Sequence, residues 1–234
     1  MRGISSLEFV EHRSKNELDY APQYRRAMGT QERKALEKQL RRSQILDAAR
    51  LLLFSSGIDS VSISGIAGKA ELGVGTIYFY FKNKEEIFAA LQEEGLDLLY
   101  SKICKIIQNE TAPEKQLAGI ANAYYQFSEE NKNYFDIINY FLSSPTVFFE
   151  QELKQQIDMS GHKILKIIQD TILSGIHQGI FEEDAPGRFS MMFWGTLHGL
   201  LHFKKLENTV LENENHLDLY EYSVNKLIDA IQCR

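Results

Sequence analysis

Thr76, Tyr78 and Tyr80 alternate with Ile77, Phe79 and Phe81, and Lys84 follows closely. Hydroxyl and ammonium groups donate hydrogen bonds, which is the chemistry of contact with a polar or anionic partner rather than of bond making. Much later, Trp194, His198 and His202 recur every four residues, and two imidazoles spaced i, i+4 can bind a metal from one helix face. No carboxylate at the HExxH spacing and no Cys accompany that pair. No nucleophile, base and orienting group occur together either, so we expect no catalytic residue, no metal and no cofactor. A metal-binding or enzymatic helical bundle is therefore an alternative resting on His198 and His202 alone.

The donors need a scaffold, and the surrounding pattern supplies one. Ser62 can cap a helix, and Ile63, Ile66, Ala67 and Ala70 then recur at helical spacing. After a tight turn, Leu72, Ile77 and Phe81 form a second apolar face that leaves Thr76, Tyr78 and Tyr80 uncovered. Helices this short cannot stand alone. Ile45, Ala48, Ala49, Leu52 and Leu53 supply an upstream amphipathic helix to cover them, completing a three-helix head that reads as a DNA-reading unit. Asn83 and Glu86 make a capping box, so another helix starts at Lys84 and leads out of the head.

The ordered series Ile45–Ala49, Phe54 to Gly57, Ile66-Ala67, Ala70, Gly75-Thr76-Ile77-Tyr78, Tyr80-Phe81 and Lys82–Glu85 resembles the TetR family of bacterial transcriptional regulators over roughly residues 42–88. The resemblance implies that the helix from Gly73 to Phe81 enters the major groove of double-stranded operator DNA. Thr76 and Tyr78 would give hydroxyl contacts to phosphate, and Lys84 would place its ammonium near the backbone. This chain has Gly73 and Val74 where the family usually has Ser and a long polar side chain. Val74 against a thymine methyl, close backbone approach at Gly75, and Ser62, Ser64 and Phe79 are the remaining candidates for base reading, and Tyr80 is a further DNA-contact candidate. Glu71 stands where a turn Gly is usual; a left-handed conformation there costs roughly 1 kcal/mol relative to Gly.

Charge follows the same division. Residues 1–90 carry 14 Lys and Arg against 11 Asp and Glu, whereas the whole chain has net charge −6. The field near the head decides the encounter with phosphate, so an acidic total does not argue against DNA binding. Arg25, Arg26, Arg33, Lys34, Lys38, Arg41 and Arg42 read either as a basic arm ahead of the first helix or as a solvated helix face. No run is apolar enough for a signal peptide or membrane span. Cys104 and Cys233 lack motif spacing and are expected to be reduced thiols in a cytoplasmic protein.

We therefore expect an all-α chain with an N-terminal extension over 1–29, a helix-turn-helix domain over 30–82 and a helical ligand-binding and dimerisation domain over 83–234. In the body, helices are expected from Lys84 to about Gln108 and from Pro113 to about Glu130. Others should run from Asn131 to Leu142 and from about Phe148 to His177. Asp184-Ala185-Pro186 should cap and open a helix to about Leu206, and the last helix should span Leu217–Ile231. Large aromatics crowd the body; they suit core packing and, with Met159, Met191 and Met192, an adaptable apolar cavity. The resemblance implies an inducer pocket there, with Tyr124, Phe127, Phe135, Ile138, Phe141, Phe148, Trp194 and His198 as candidates. It also implies a homodimer. The Trp194-to-Gly199 pattern resembles a body subtype whose penultimate helix joins the last one in a four-helix interface, here using Gly195, Gly199, Phe203, Tyr220, Val224 and Leu227. The resulting expectation is a regulator, by the family's habit a repressor, released from a near-palindromic operator by a small apolar or aromatic effector. A ligand-blind DNA-binding protein is a further alternative.

Overall fold

The computed structural model describes residues 29–143, 151–207, 209 and 215–233. Most of the expected N-terminal extension and Phe148 lie outside them. Among the described residues the regular structure is helical, apart from one antiparallel bridge between Phe181 and Gln232. Helix α1 spans Thr30–Ser56, α2 Ile63–Lys69, α3 Val74–Tyr80, α4 Lys84–Asn109, α5 Pro113–Glu130, α6 Lys132–Ser143, α7 Gln151–His177, α8 Pro186–His202 and α9 His216–Asp229. No helix among them is long and apolar enough to cross a membrane.

The head closes because three short apolar stripes meet. Ile45, Ala49 and Leu53 of α1, Ile66 of α2, and Ile77 and Phe81 at α3 are all at most 1% exposed. Each large side chain buried this completely contributes roughly 1.5–3 kcal/mol, enough to hold helices of seven residues that would not form alone. Ser62 caps α2 by accepting from the Gly65 amide at 3.1 Å. At the turn the Leu72 amide donates to the Ala67 carbonyl and the Glu71 amide to that of Gly68, a Schellman motif with Glu71 at φ 55°. Asn83 caps α4 by accepting from the Glu86 amide at 2.9 Å; the Glu86 carboxylate reaches back to the amide of Lys82 rather than that of Asn83.

At one helix start the structure selects between two readings, and at another it corrects an expectation. The basic run from Arg33 to Arg42 lies inside α1, which begins at Thr30, so these residues are a helix face and not an arm ahead of it. The cap of α8 is Ala185 without a side-chain bond; Glu183, not Asp184, accepts from the Ala185 amide at 2.7 Å.

In the body α4 packs against α5, α6 and α7, and α5 against α7, α8 and α9. Phe181 lies over Gly175, where a Cβ would collide with its ring. The same turn is tied to the segment after α9: the Glu182 amide donates to the Ile231 carbonyl and the Cys233 amide to that of Ile180. Tyr220 fixes α9 on α5 by donating to the Ala121 carbonyl at 2.9 Å.

Candidate nucleic-acid interface and body site

Helix α3 presents its uncovered face outward. Phe79 is 77% exposed, Tyr78 54% and Val74 42%, while Ile77 between them is fully buried. A helix with 3.6 residues per turn cannot bury all four, and the core has taken the one on its inner side. Phe79 rests edge-on against Tyr80 at 5.1 Å. Gly73 caps α3, and a Cβ at Gly75 would meet nothing within 4 Å, so the backbone itself is open to approach there. Thr76 is half-buried. Ser62 and Ser64 are exposed at the start of α2 with their hydroxyls 3.2 Å apart, although the Ser62 oxygen is already engaged as a cap. Lys84 is half-buried, its ammonium 5.3 Å from the centre of the Phe88 ring.

Arg42 has a different place from the one its charge implies. Its Nη1 donates to the Tyr80 carbonyl at 2.9 Å, and its guanidinium lies 4.2 Å from the centre of the Phe81 ring, so it ends α3 and packs α1 on it. Gln44 does the same for α2 by donating to the Ala70 carbonyl at 2.8 Å. Reading the sequence alone missed Gln44, because a partner 26 residues away leaves no periodic signal. Arg41 is held by Gln44, whose Oε1 accepts from its Nη1 at 2.8 Å.

In the body, four of the candidate ligand residues come together. Tyr124 is fully buried, stacked on Trp194 at 4.1 Å and edge-on to Phe135 at 5.9 Å, with its Oη 2.7 Å from His198 Nδ1. Phe135 also lies 5.7 Å from His198 and 6.2 Å from His202. Burial, and then repulsion from His202, push the His198 imidazole down to about 4. Burial, and then Tyr220, hold the Tyr124 phenol well above its ordinary value. With the imidazole neutral and the phenol protonated, the pair shares one hydrogen bond in which the tautomer sets the direction: Tyr124 donates when the imidazole proton is on Nε2, and His198 donates when it is on Nδ1. Phe127 and Ile138 are buried in the same core, and Phe141 packs edge-on against Tyr140 at 5.4 Å. No group of three His, Cys, Asp or Glu side chains placed to hold a metal occurs among the described residues.

The candidates for the dimer face divide. Gly195, Gly199 and Phe203 lie on the exposed side of α8 and the turn after it, in line with Met191, which is 65% exposed. Tyr220 and Val224 are only 2% and 5% exposed because they face α5 in the chain's own core, so the sequence reading of them as interface residues is corrected. Leu227 packs partly buried against that core. Tyr222 is the aromatic that α9 turns outward, at 61% exposure.

Known proteins match this arrangement. The pattern described as bacterial regulatory proteins, tetR family, matches residues 45–91, which cover the last turns of α1, all of α2 and α3, and the start of α4. The fatty acid metabolism regulator protein of Bacillus subtilis is 26% identical over 162 residues, 69% of this chain and 81% of that protein. The HTH-type transcriptional repressor KstR2 of Mycolicibacterium smegmatis is 22% identical over 152 residues, 62% of this chain and 69% of that protein. Among solved structures, FadR of Bacillus subtilis in complex with stearoyl-CoA superposes with a TM-score of 0.64 at 24% identity, covering 81% of this chain and 99% of that one. The head at residues 45–91 is thus a DNA-binding domain of the tetR family of bacterial regulatory proteins, and the helical body behind it shares its fold with regulators of that family.

Proposed function

We propose that this protein is a repressor that holds a near-palindromic operator as a homodimer and leaves it when a long-chain acyl thioester, or an apolar acid derivative of similar length, enters the body. The observation that carries the reading is the buried aromatic cluster of Tyr124, Phe135, Trp194 and His198, which joins a large apolar surface to one polar pair. An acyl chain needs the first, and an ester or thioester oxygen can accept a hydrogen bond from the second. Further support comes from the Bacillus subtilis comparisons, a fatty acid metabolism regulator by sequence and FadR crystallised with stearoyl-CoA by structure.

Operator contact is assigned to α3 and its surroundings: Val74 and Phe79 toward base edges, Thr76, Tyr78 and Lys84 toward phosphate. The second copy is assigned to the stripe Met191, Gly195, Gly199 and Phe203, where the two glycines permit close helix approach. Trp194 is the chain's one tryptophan, so its fluorescence reports the cluster directly. Titrating stearoyl-CoA should change Trp194 emission and displace a labelled operator duplex over the same concentration range. A ligand that changes the emission and leaves the duplex bound would refute the coupling. A screen of acyl thioesters and apolar acids in which none changes either signal would favour a ligand-blind DNA-binding protein.

A further inference from the structure

A partly buried polar cluster bridges the head and the body. From α1, Arg50 Nη2 donates to both oxygens of Glu94 on α4, at 3.0 and 2.7 Å, and Nη1 donates to Asp47 Oδ1 at 2.6 Å. Its Nε donates to the Tyr134 hydroxyl on α6 at 3.0 Å, and that hydroxyl donates in turn to Glu94 Oε2 at 3.2 Å. The Arg50 side chain is 14% exposed and Tyr134 7%. Burial works against the Arg50 charge, but Glu94 and Tyr134 outweigh it and raise its pKa; burial also pushes the Tyr134 phenol up to about 12. Arg50 therefore stays charged and Tyr134 neutral around neutral pH.

Tyr134 is confined on its other sides as well. Phe54 of α1 meets its ring edge-on at 6.0 Å. At Gly95 of α4 a Cβ would stand 2.8 Å from the Tyr134 Cβ, so the two helices cross here as closely as their backbones allow. The next residue, Phe135, faces Tyr124, His198 and His202 in the aromatic cluster. Neighbouring residues on a rigid helix move together, and α6 cannot rotate at Phe135 without moving Tyr134.

We infer that Tyr134 is a positioning residue for DNA recognition. Through Arg50 and Glu94 it sets the angle of the head relative to the body, and α6 delivers to it any displacement that a ligand imposes on Phe135. The first half stands on the geometry alone; the second rests on the effector reading above.

The test uses the full chain with Cys104 and Cys233 replaced by Ser, and spin labels at Lys69→Cys in the head and Gln126→Cys in the body. Labelled chain is diluted into unlabelled chain so that distances within one molecule dominate. Wild type should give one narrow distance distribution, and Tyr134→Phe and Arg50→Lys should broaden or shift it while thermal unfolding remains cooperative. On a duplex selected from a random pool by wild type, Tyr134→Phe should bind three- to tenfold more weakly with unchanged affinity for random duplex. Superimposable distance distributions in wild type, Tyr134→Phe and Arg50→Lys would overturn the inference, even where the variants melt earlier. If stearoyl-CoA leaves the wild-type distribution unchanged, the choice of effector fails and the comparison of variants still decides the role of Tyr134.

Discussion

Glu71 and Gly179 occupy the same slot in the same motif, each the left-handed residue after a helix, at φ 55° and 70°. Gly adopts that conformation without a Cβ penalty and Glu does not. Glu71→Gly should therefore raise stability by about 1 kcal/mol, read as a thermal midpoint higher by about 2–4 °C. It should also strengthen binding to random duplex by removing an acidic group beside α3. His198 makes a second prediction, with a sign that follows from linkage. The unfolded imidazole titrates near 6.5 and the folded one near 4, so between those values the unfolded chain binds the extra proton. Stability held above 6.5 is lost as pH falls toward 4. His198→Phe should melt less steeply with acid across that window, with a lower midpoint at neutral pH because Tyr124 loses its hydrogen-bond partner. A slope equal to that of wild type would show that His198 does not titrate differently on folding. At this scale the sequence was legible where a residue acts on its own neighbourhood, as Ser62, Asn83 and Glu71 do. It was silent where the partner is distant: Arg42 looked like a phosphate contact and is bound to Tyr80 and Phe81, and Tyr134 looked like one more core aromatic.

Among the elements, α3 shows how little of the readout is fixed by fold. Its inner side is dictated by Ile77 and Phe81, while its outer side is free to carry any chemistry, here mostly apolar. Removing a hydroxyl that donates to a charged phosphate costs about 1.5–3 kcal/mol per head, so Tyr78→Phe should weaken operator binding at least tenfold and leave its salt dependence unchanged. Lys84→Ala should lower the steepness of that dependence by about one ion per head, because it removes a charge. Affinity measured for both over a salt series separates the two contacts; identical slopes in all three proteins would take Lys84 off the DNA. Helix limits in the body were readable to within a few residues because 3.6-residue periodicity and Pro at first turns are local signals, as at Pro113 and Pro186. The error at Asp184 arose because a neighbouring carboxylate, Glu183, reaches the same amide.

For the whole molecule, the exposed stripe from Met191 to Phe203 argues for a second copy, and breaking it should break operator affinity too. Met191→Glu together with Gly199→Arg should convert the sedimenting species from dimer to monomer and abolish selective DNA binding, while far-ultraviolet circular dichroism remains helical. A dimer that survives both changes would move the interface elsewhere. Faces of this kind were only partly legible in the sequence: small residues at i, i+4 marked Gly195 and Gly199, but which side of α9 turns inward depends on α5, and Tyr220 and Val224 went to the core.

The first helix has a consequence of another sort. Its buried positions begin only at Ile45, fifteen residues in, and the preceding stretch is studded with Arg33, Lys34, Lys38, Arg41 and Arg42. At 1.5 Å per residue the eleven residues from Thr30 to Leu40 span roughly 16 Å of rod, and none of them is buried. Trypsin at low dose should clip after Lys34 and Lys38 long before it reaches α4, leaving a trimmed head whose melting is unchanged. Bound duplex would shield those sites if the rod lies along the groove and leave them open if it points away, which makes the rate of that first cut a direct gauge of how far the protein's footprint extends beyond its reading helix.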